Sequence, residues 1–251
     1  MKKIRILKSI KDRGAMQMAI DEAILISRIK GLVPNTLRFF SWEPSAVTIG
    51  FFQSLKQEVD ISAAKKNGVD IIRRYTGGGA VFHEHELTYS LAISENDAPK
   101  GIIESYQYIC SGIVESLKLI GLEAEFKPIN DIIVNGKKIS GSAQTRKNGI
   151  ILQHGTIIID VDVEKMFSLL KVPDEKIKDK MIASVKDRVT SLNNELKPNL
   201  NQSELEKTFE QGFSTALDTE LISEDLTPEE IKTAEKLHKE KYNTKEWNYW
   251  R

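Results

Sequence analysis

Apolar positions along this chain recur every second residue in some stretches and every third or fourth in others, and the change of period marks the elements. Lys3 to Lys8 alternates and is rich in β-branched residues, which predicts a strand. Residues 14 to 30, GAMQMAIDEAILISRIK, place Met18, Ile20, Ile24, Ile26 and Ile29 at helical spacing. Leu37 to Ser41 and Ala46 to Phe51 read as two strands around a turn at Glu43 and Pro44. Asp60 to Asn67 reads as a capped helix, and Val69 to Arg74 as a short apolar strand. Glu86 to Ile93 alternates through Leu87, Tyr89, Leu91 and Ile93, as a half-buried strand does. Ile102 to Ile120 is a long amphipathic helix ended by Gly121, with Cys110 inside its apolar pattern. Ile132 to Ile139 and Ile150 to Ile159 read as strands flanking a loop, SGSAQTRKNG. From about residue 163 to 251 the sequence becomes highly charged and helix-rich. Strands, a helix, strands and then helices predict an α+β fold with a mixed β-sheet, in a single domain spanning 1–251.

Composition narrows the function classes. The 251 residues are 40% hydrophobic, enough for a sizeable core, and 36 basic residues balance 36 acidic ones. A formal net charge of zero argues against a general nucleic-acid or membrane-surface binder, which needs a basic excess. One cysteine, Cys110, permits no internal disulfide. No secretory core and no apolar run of membrane-spanning length stands in the sequence, so a cytoplasmic protein is expected.

Two clusters carry chemistry. The first is RRYTGGGAVFH, residues 73 to 83. Three successive glycines expose backbone N–H groups that can cradle an anion, and Arg73 or Arg74 can add charge. As a bare pattern it equally describes a glycine turn between strands. It is not a phosphate-binding P-loop, because Ala80-Val81 stands where Lys-Ser or Lys-Thr is required. Nor is it a dinucleotide fingerprint, because a strand-like segment follows the glycines. The second cluster runs from 129 to 159, INDIIVNGKKISGSAQTRKNGIILQHGTIII. Asn135-Gly136 is a hairpin turn signal that puts Lys138 at the start of the return strand. Taken alone, Lys137 and Lys138 read as solvated turn residues and His154 as a satisfied core histidine. His83 and His85 form an H-x-H pair without further ligands nearby, a weak metal signal; His83 is expected to brace the glycine loop.

In this order and spacing, RRYTGGGAVFH, NDIIVNGKKISGSAQ and ILQHGT resemble the lipoate-protein ligase A family of the biotin/lipoate-ligase superfamily. The resemblance runs from about residue 10 to the closing KEWNYWR, in a short form without a C-terminal accessory domain. It implies a mixed sheet with flanking helices of the biotin/lipoate-ligase catalytic type. It implies ATP, Mg²⁺ and lipoate as reactants: lipoate would be activated to lipoyl-AMP and passed to a lysine on an acceptor protein. That acceptor would be a glycine-cleavage H protein or an E2 domain of a 2-oxoacid dehydrogenase. The accessory domain would be either absent or supplied as a separate polypeptide.

Carried over by position, the resemblance puts Arg74, Gly77, Gly78, Gly79, Ala80, Val81 and Phe82 at the adenylate, with Asn130, Asp131, Ser142 and Ala143. Lys138 would be catalytic, beside the acyl carbonyl, and Asp131 would bind Mg²⁺. Phe51, His83, His154 and Gly155 would line the lipoyl channel, with Phe82 and Ile151 as further apolar candidates. An octanoyl or lipoyl transferase acting without ATP is the nearest rival. In those relatives a cysteine precedes the NDIIVNGKK strand, and residues 121 to 131, GLEAEFKPIND, hold none, so the ligase is expected. A non-catalytic lipoyl-domain docking or adenylate-binding module is a second alternative.

Overall fold

The computed structural model describes residues 2–172, 177–197 and 201–251. Eleven strands and ten helices are defined among them. The N-terminal half contains β1 (Lys2–Asp12), α1 (Gly14–Ile29), β2 (Thr36–Trp42), β3 (Ala46–Ile49), α2 (Leu55–Glu58), α3 (Ile61–Lys66), β4 (Asp70–Arg73), β5 (Val81–His83) and β6 (Glu86–Ser94). The central part adds α4 (Ile102–Leu119), β7 (Ala124–Lys127), β8 (Asp131–Val134), β9 (Lys137–Lys147) and β10 (Ile150–Ile158). The remainder contains α5 (Val163–Leu169), α6 (Lys178–Arg188), α7 (Leu192–Glu195), α8 (Gln202–Ala216), β11 (Thr219–Glu224), α9 (Pro228–Leu237) and α10 (Lys245–Asn248).

Eight strands form one mixed sheet in the order β11-β1-β2-β6-β10-β9-β8-β7. The β11, β1 and β2 strands run parallel, and the ladder is antiparallel from β2 to β7. A second sheet, β4-β3-β5, has three strands. The expected α+β class with flanking helices is what the chain forms.

Alternation along β6 and β10 decides which face does what. Leu87, Tyr89, Leu91, Ile93, Ile151 and Ile157 pack with Ile109 and Ile113 of α4 and with Phe209 and Phe213 of α8. The opposite face carries Ala92, Ile150 and Leu152, which pack on Ile20, Ala23 and Ile24 of α1. Residues of that face's parity, Thr88, His154 and Thr156, line a cleft instead of core. Polar residues of α1 serve the same face. Asp21 meets His154, Gln17 accepts from Arg38, and Glu22 accepts from Tyr242 Oη at 2.6 Å.

Two expectations about elements need correction. SGSAQTRK is not a loop: it is most of β9, paired residue for residue with β10 from Ser140↔Ile157 to Lys147↔Ile150. The hairpin turns at Asn148 and Gly149, both at positive φ (48° and 78°). Small polar residues suggested a loop, but ladder pairing on both sides overrides that weak local preference. The helix-rich C-terminal part also contributes β11, which extends the large sheet beside β1.

Helices α4 and α8 approach closely through two glycines. A Cβ on Gly212 would lie 2.1 Å from Ser116 Oγ and 2.5 Å from the Ser116 backbone nitrogen, and one on Gly112 would lie 2.5 Å from the Phe213 ring. Backbone cannot swing aside, so Gly212→Ala should destabilise the fold by about 1–3 kcal/mol through overpacking, despite the helix propensity of alanine. Urea unfolding checks this; an unchanged midpoint would contradict the close crossing.

Candidate active site

A cleft of ≈ 370 Å³ takes its walls from both sheets. Thr48, Val81, Phe82 and His83 come from the small sheet, and Glu86, Thr88, Gly141, Ser142, Ala143, His154, Gly155, Thr156 and Ile158 from the large one. Arg74, Gly78, Gly79, Ala80, Asn130 and Lys138 complete the polar end. Met18, Trp42, Met166, Val185 and Val189 add apolar surface. Arg74 and Lys138, 64 positions apart in sequence, therefore share one cavity.

The two arginines that precede the glycines divide their work. Arg73 turns away from the cleft. Its Nη1 donates to the carbonyls of Gly50, Phe51 and Gln53 at 3.0, 3.0 and 2.7 Å, and its backbone N–H donates to Asn248 Oδ1 at 2.8 Å. It fastens the end of β4 to the last turn of the chain. Arg74 turns toward the glycines. Its Nη2 donates to the Gly77 and Gly79 carbonyls at 2.7 and 2.9 Å, its Nη1 to Thr48 O and Thr48 Oγ1 at 3.1 and 2.8 Å, and its Nε to Thr76 Oγ1 at 3.4 Å. All five guanidinium protons are thus committed to neutral protein oxygens. Burial lowers its pKa from the usual arginine value to about 10, so the group remains a cation at neutral pH.

The glycine loop is open where it needs to be. Nothing lies within 4 Å of a Cβ built on Gly77 or Gly79. Gly78 adopts φ +93°, a left-handed conformation that favours glycine. Across from it, a Cβ on Gly50 would fall 2.0 Å from the Gly78 carbonyl oxygen, so this pairing of glycines lets the loop fold over the end of β3. Among the described residues, the amides of Gly77, Gly78 and Gly79 donate to no protein acceptor.

Lys138 sits on β9, where its Nζ pairs with Asp131 Oδ1 of β8 at 2.7 Å. Both side chains are partly exposed. A Cβ on Gly141 would lie 2.7 Å from that Nζ, so the absence of a side chain at 141 leaves the channel along which Lys138 lies. Nothing in the sequence reading singled out Gly141, because its significance depends on the β8–β9 register shift between Ile132 and Ile133. Thr48, Thr76 and Asp21 were also unread; they become legible only when three separated segments meet at Arg74 and His154.

Several expected site residues are placed elsewhere. Phe51 does not line the cleft: it packs with Phe52, Tyr75, Trp247 and Trp250 at centroid distances of 4.8 to 6.4 Å. Two of these neighbours, Trp247 and Trp250, come from the C-terminal segment, which the sequence order concealed. Gly77 and Asp131 are not among the residues that line the cleft. Asp131, the expected Mg²⁺ ligand, is instead the ion-pair partner of Lys138, and among the described residues no cluster of three His, Cys, Asp or Glu side chains stands ready to hold a metal. Ile151 belongs to the core. His83 lines the cleft with Nε2 2.8 Å from Thr48 Oγ1, while His85 is exposed. No helix of the described residues is long and apolar enough to cross a membrane.

Comparison with known proteins now bears on this geometry. The lipoyl protein ligase A/B catalytic domain matches residues 13–214. Octanoyltransferase LipM of Brevibacillus brevis is 38% identical over 93% of this chain and 94% of its own length. Among solved structures, the bi-partite lipoate protein ligase of Thermoplasma acidophilum, described with its E2 lipoyl domain, superposes with a TM-score of 0.90 at 32% identity. That match covers 99% of this chain and 97% of the other. A lipoate-protein ligase A bound with ATP superposes with a TM-score of 0.85 at 31% identity, covering 99% of both chains. The near full-length similarity to octanoyltransferases overturns the expectation of an ATP-dependent ligase and favours its rival, an acyl transferase acting without ATP. Residues 121–131 do lack a cysteine. That absence removes one covalent route to transfer and leaves transfer itself open.

The single thiol is indeed shut away. Cys110 is fully buried on α4, with Sγ 3.6 Å from Ser142 Oγ and 3.5 Å from Gln153 Nε2. Burial pushes its pKa up to about 11. At pH 7.5 the folded protein should therefore leave Cys110 unmodified by a thiol-reactive disulfide reagent over minutes, and denaturant should release one full equivalent. Prompt labelling of the folded chain would contradict this burial.

Proposed function

The chain belongs to the lipoyl protein ligase A/B catalytic domain family, and we propose that it transfers an octanoyl group from a thioester donor to the ε-amine of a lysine on a lipoyl-acceptor protein, without ATP. The observation that carries this reading is Lys138. It is a cation on the cleft wall, held by one carboxylate at 2.7 Å, whereas the donors of Arg74 are all taken by the protein itself. The similarity to octanoyltransferases supplies the acyl group and the class of reaction.

The chemistry follows from these groups. The acyl chain lies against Met18, Trp42, Phe82, Ile158 and Met166, where burial of each methylene contributes about 0.8 kcal/mol. The thioester carbonyl lies at the polar end, near Lys138 and the unpartnered amides of the glycine loop. The neutral ε-amine of the acceptor lysine attacks that carbonyl carbon. Negative charge collects on the carbonyl oxygen, where a fixed ammonium and backbone N–H groups stabilise it. The intermediate collapses with cleavage of the C–S bond, the thiolate leaves, and the proton lost by the amine neutralises it. The products are an amide and a free thiol. With Cys110 buried and its pKa raised, the acyl group passes directly to the acceptor with no enzyme thioester.

Acceptors of the kind named by the resemblance, a glycine-cleavage H protein or an E2 lipoyl domain, suit this reading. The Thermoplasma relative, itself a ligase, is described with an E2 lipoyl domain. An accessory polypeptide has no part in it, because no adenylate has to be formed.

Incubation of the chain with an octanoyl thioester and a lipoyl-acceptor domain, read by intact mass, tests the proposal. Octanoylated acceptor should form without ATP, and Lys138→Ala should slow it by about 10²–10³-fold, as expected for loss of a group that stabilises developing charge. Acylation that appears only when ATP is added, or an octanoyl adduct on Cys110 of the enzyme, would overturn it.

A further inference from the structure

Two chains of side chains converge on Arg74 from opposite sheets. In the first, Thr48 Oγ1 accepts from Arg74 Nη1 at 2.8 Å and meets His83 Nε2 at 2.8 Å; His83 Nδ1 meets Glu86 Oε1 at 2.7 Å. The same carboxylate oxygen accepts from Thr88 Oγ1 at 2.6 Å and from Trp42 Nε1 at 3.1 Å, and the Trp42 ring stacks on His83 at 4.2 Å. In the second, Thr76 Oγ1 accepts from Arg74 Nε at 3.4 Å and meets His154 Nε2 at 2.7 Å; His154 Nδ1 meets Asp21 Oδ2 at 3.0 Å. Asp21 also faces Arg38 Nη1 at 3.7 Å. Both histidines, both threonines and both carboxylates are buried.

Simple donor counting fixes the direction of each chain. A carboxylate only accepts, so the Nδ1 atom that faces it carries a proton. A hydroxyl has one proton, and where its oxygen already accepts from a guanidinium, that proton is free to go elsewhere. In a neutral imidazole protonated at Nδ1, Nε2 is an acceptor and takes it. For His154, desolvation on burial lowers the pKa and so favours the neutral ring.

We propose that His83 and His154 are positioning residues, both held as neutral Nδ1–H imidazoles. By taking the threonine protons they turn the threonine oxygens toward Arg74, and Arg74 in turn pins the Gly77 and Gly79 carbonyls. The glycine-loop amides then stay clear for the acyl carbonyl oxygen. Arg74 is in this sense an internal strut, and the two histidines set its orientation without touching substrate. The catalytic consequence rests on the acyl-transfer reading; the tautomers do not.

Nitrogen-15 NMR of the full chain with labelled histidine reads the tautomers directly. Of the four histidines, two should show a protonated Nδ1 and a bare Nε2 at pH 7.5. A protonated Nε2 on His83 or His154 at pH 7.5 overturns the proposal whatever the activity turns out to be. For the catalytic consequence, Thr48→Val and Thr76→Val should each lower the turnover of octanoyl transfer about ten- to a hundredfold by misplacing the loop, with donor KM within about twofold. Thr48→Ser and Thr76→Ser should restore it. Valine variants that match wild-type turnover, or serine variants as impaired as the valine ones with unchanged thermal midpoints, would also overturn it.

Discussion

A guanidinium removed from solvent has to find an oxygen for every N–H, and around Arg74 the chain supplies five, none of them charged. An unpaired buried cation costs several kcal/mol, offset here by hydrogen bonds to a charged donor of about 1.5–3 kcal/mol each. The constraint reaches far. It demands that β3 end beside the glycine loop, that Gly50 lack a side chain so Gly78 can cross it, and that Thr48 and Thr76 present oxygens inward. It also leaves a net positive charge in the cleft wall with no carboxylate paired to it among the described residues. A site built this way favours negative charge appearing in front of it.

That field complements Lys138 without duplicating it. Arg74 is immobile and saturated, so it shapes the loop and its electrostatic environment. Lys138 is partly exposed, is tied by a single carboxylate, and lies in a channel opened by Gly141. One cation is part of the scaffold and the other faces the reaction. The adjoining RRYTGGG positions show the same economy: Arg73 ties the strand to the C-terminal segment through Gly50, Phe51, Gln53 and Asn248, which holds the platform on which Arg74 is mounted.

Much of this was legible in the sequence where the signal is local. Alternation at Leu87, Tyr89, Leu91 and Ile93 gave the core face of β6, and Asn135-Gly136 gave the hairpin that delivers Lys138. The glycine run and Arg74 were readable as one cluster. What stayed hidden depends on contacts between distant segments. Ser140 to Lys147 looked like a loop because its residues are small and polar, and only pairing with β10 makes it a strand. Phe51 looked like channel lining because its C-terminal aromatic partners lie some 200 positions away. Donor saturation at Arg74 follows no motif, so the sequence assigned that residue to a ligand. The choice between ligase and transferase turned on a missing cysteine, a criterion that tests one route to the amide and not the reaction.

The saturation of Arg74 is the claim from which the rest is built, and it has a direct observable. Nitrogen-15 spectra of the arginine side chains should show separate, slowly exchanging guanidinium protons for Arg74, because each N–H is held by its own oxygen out of solvent. A single averaged signal that exchanges rapidly with water, as from an exposed arginine, would contradict the strut, the loop geometry it imposes and the division of labour with Lys138.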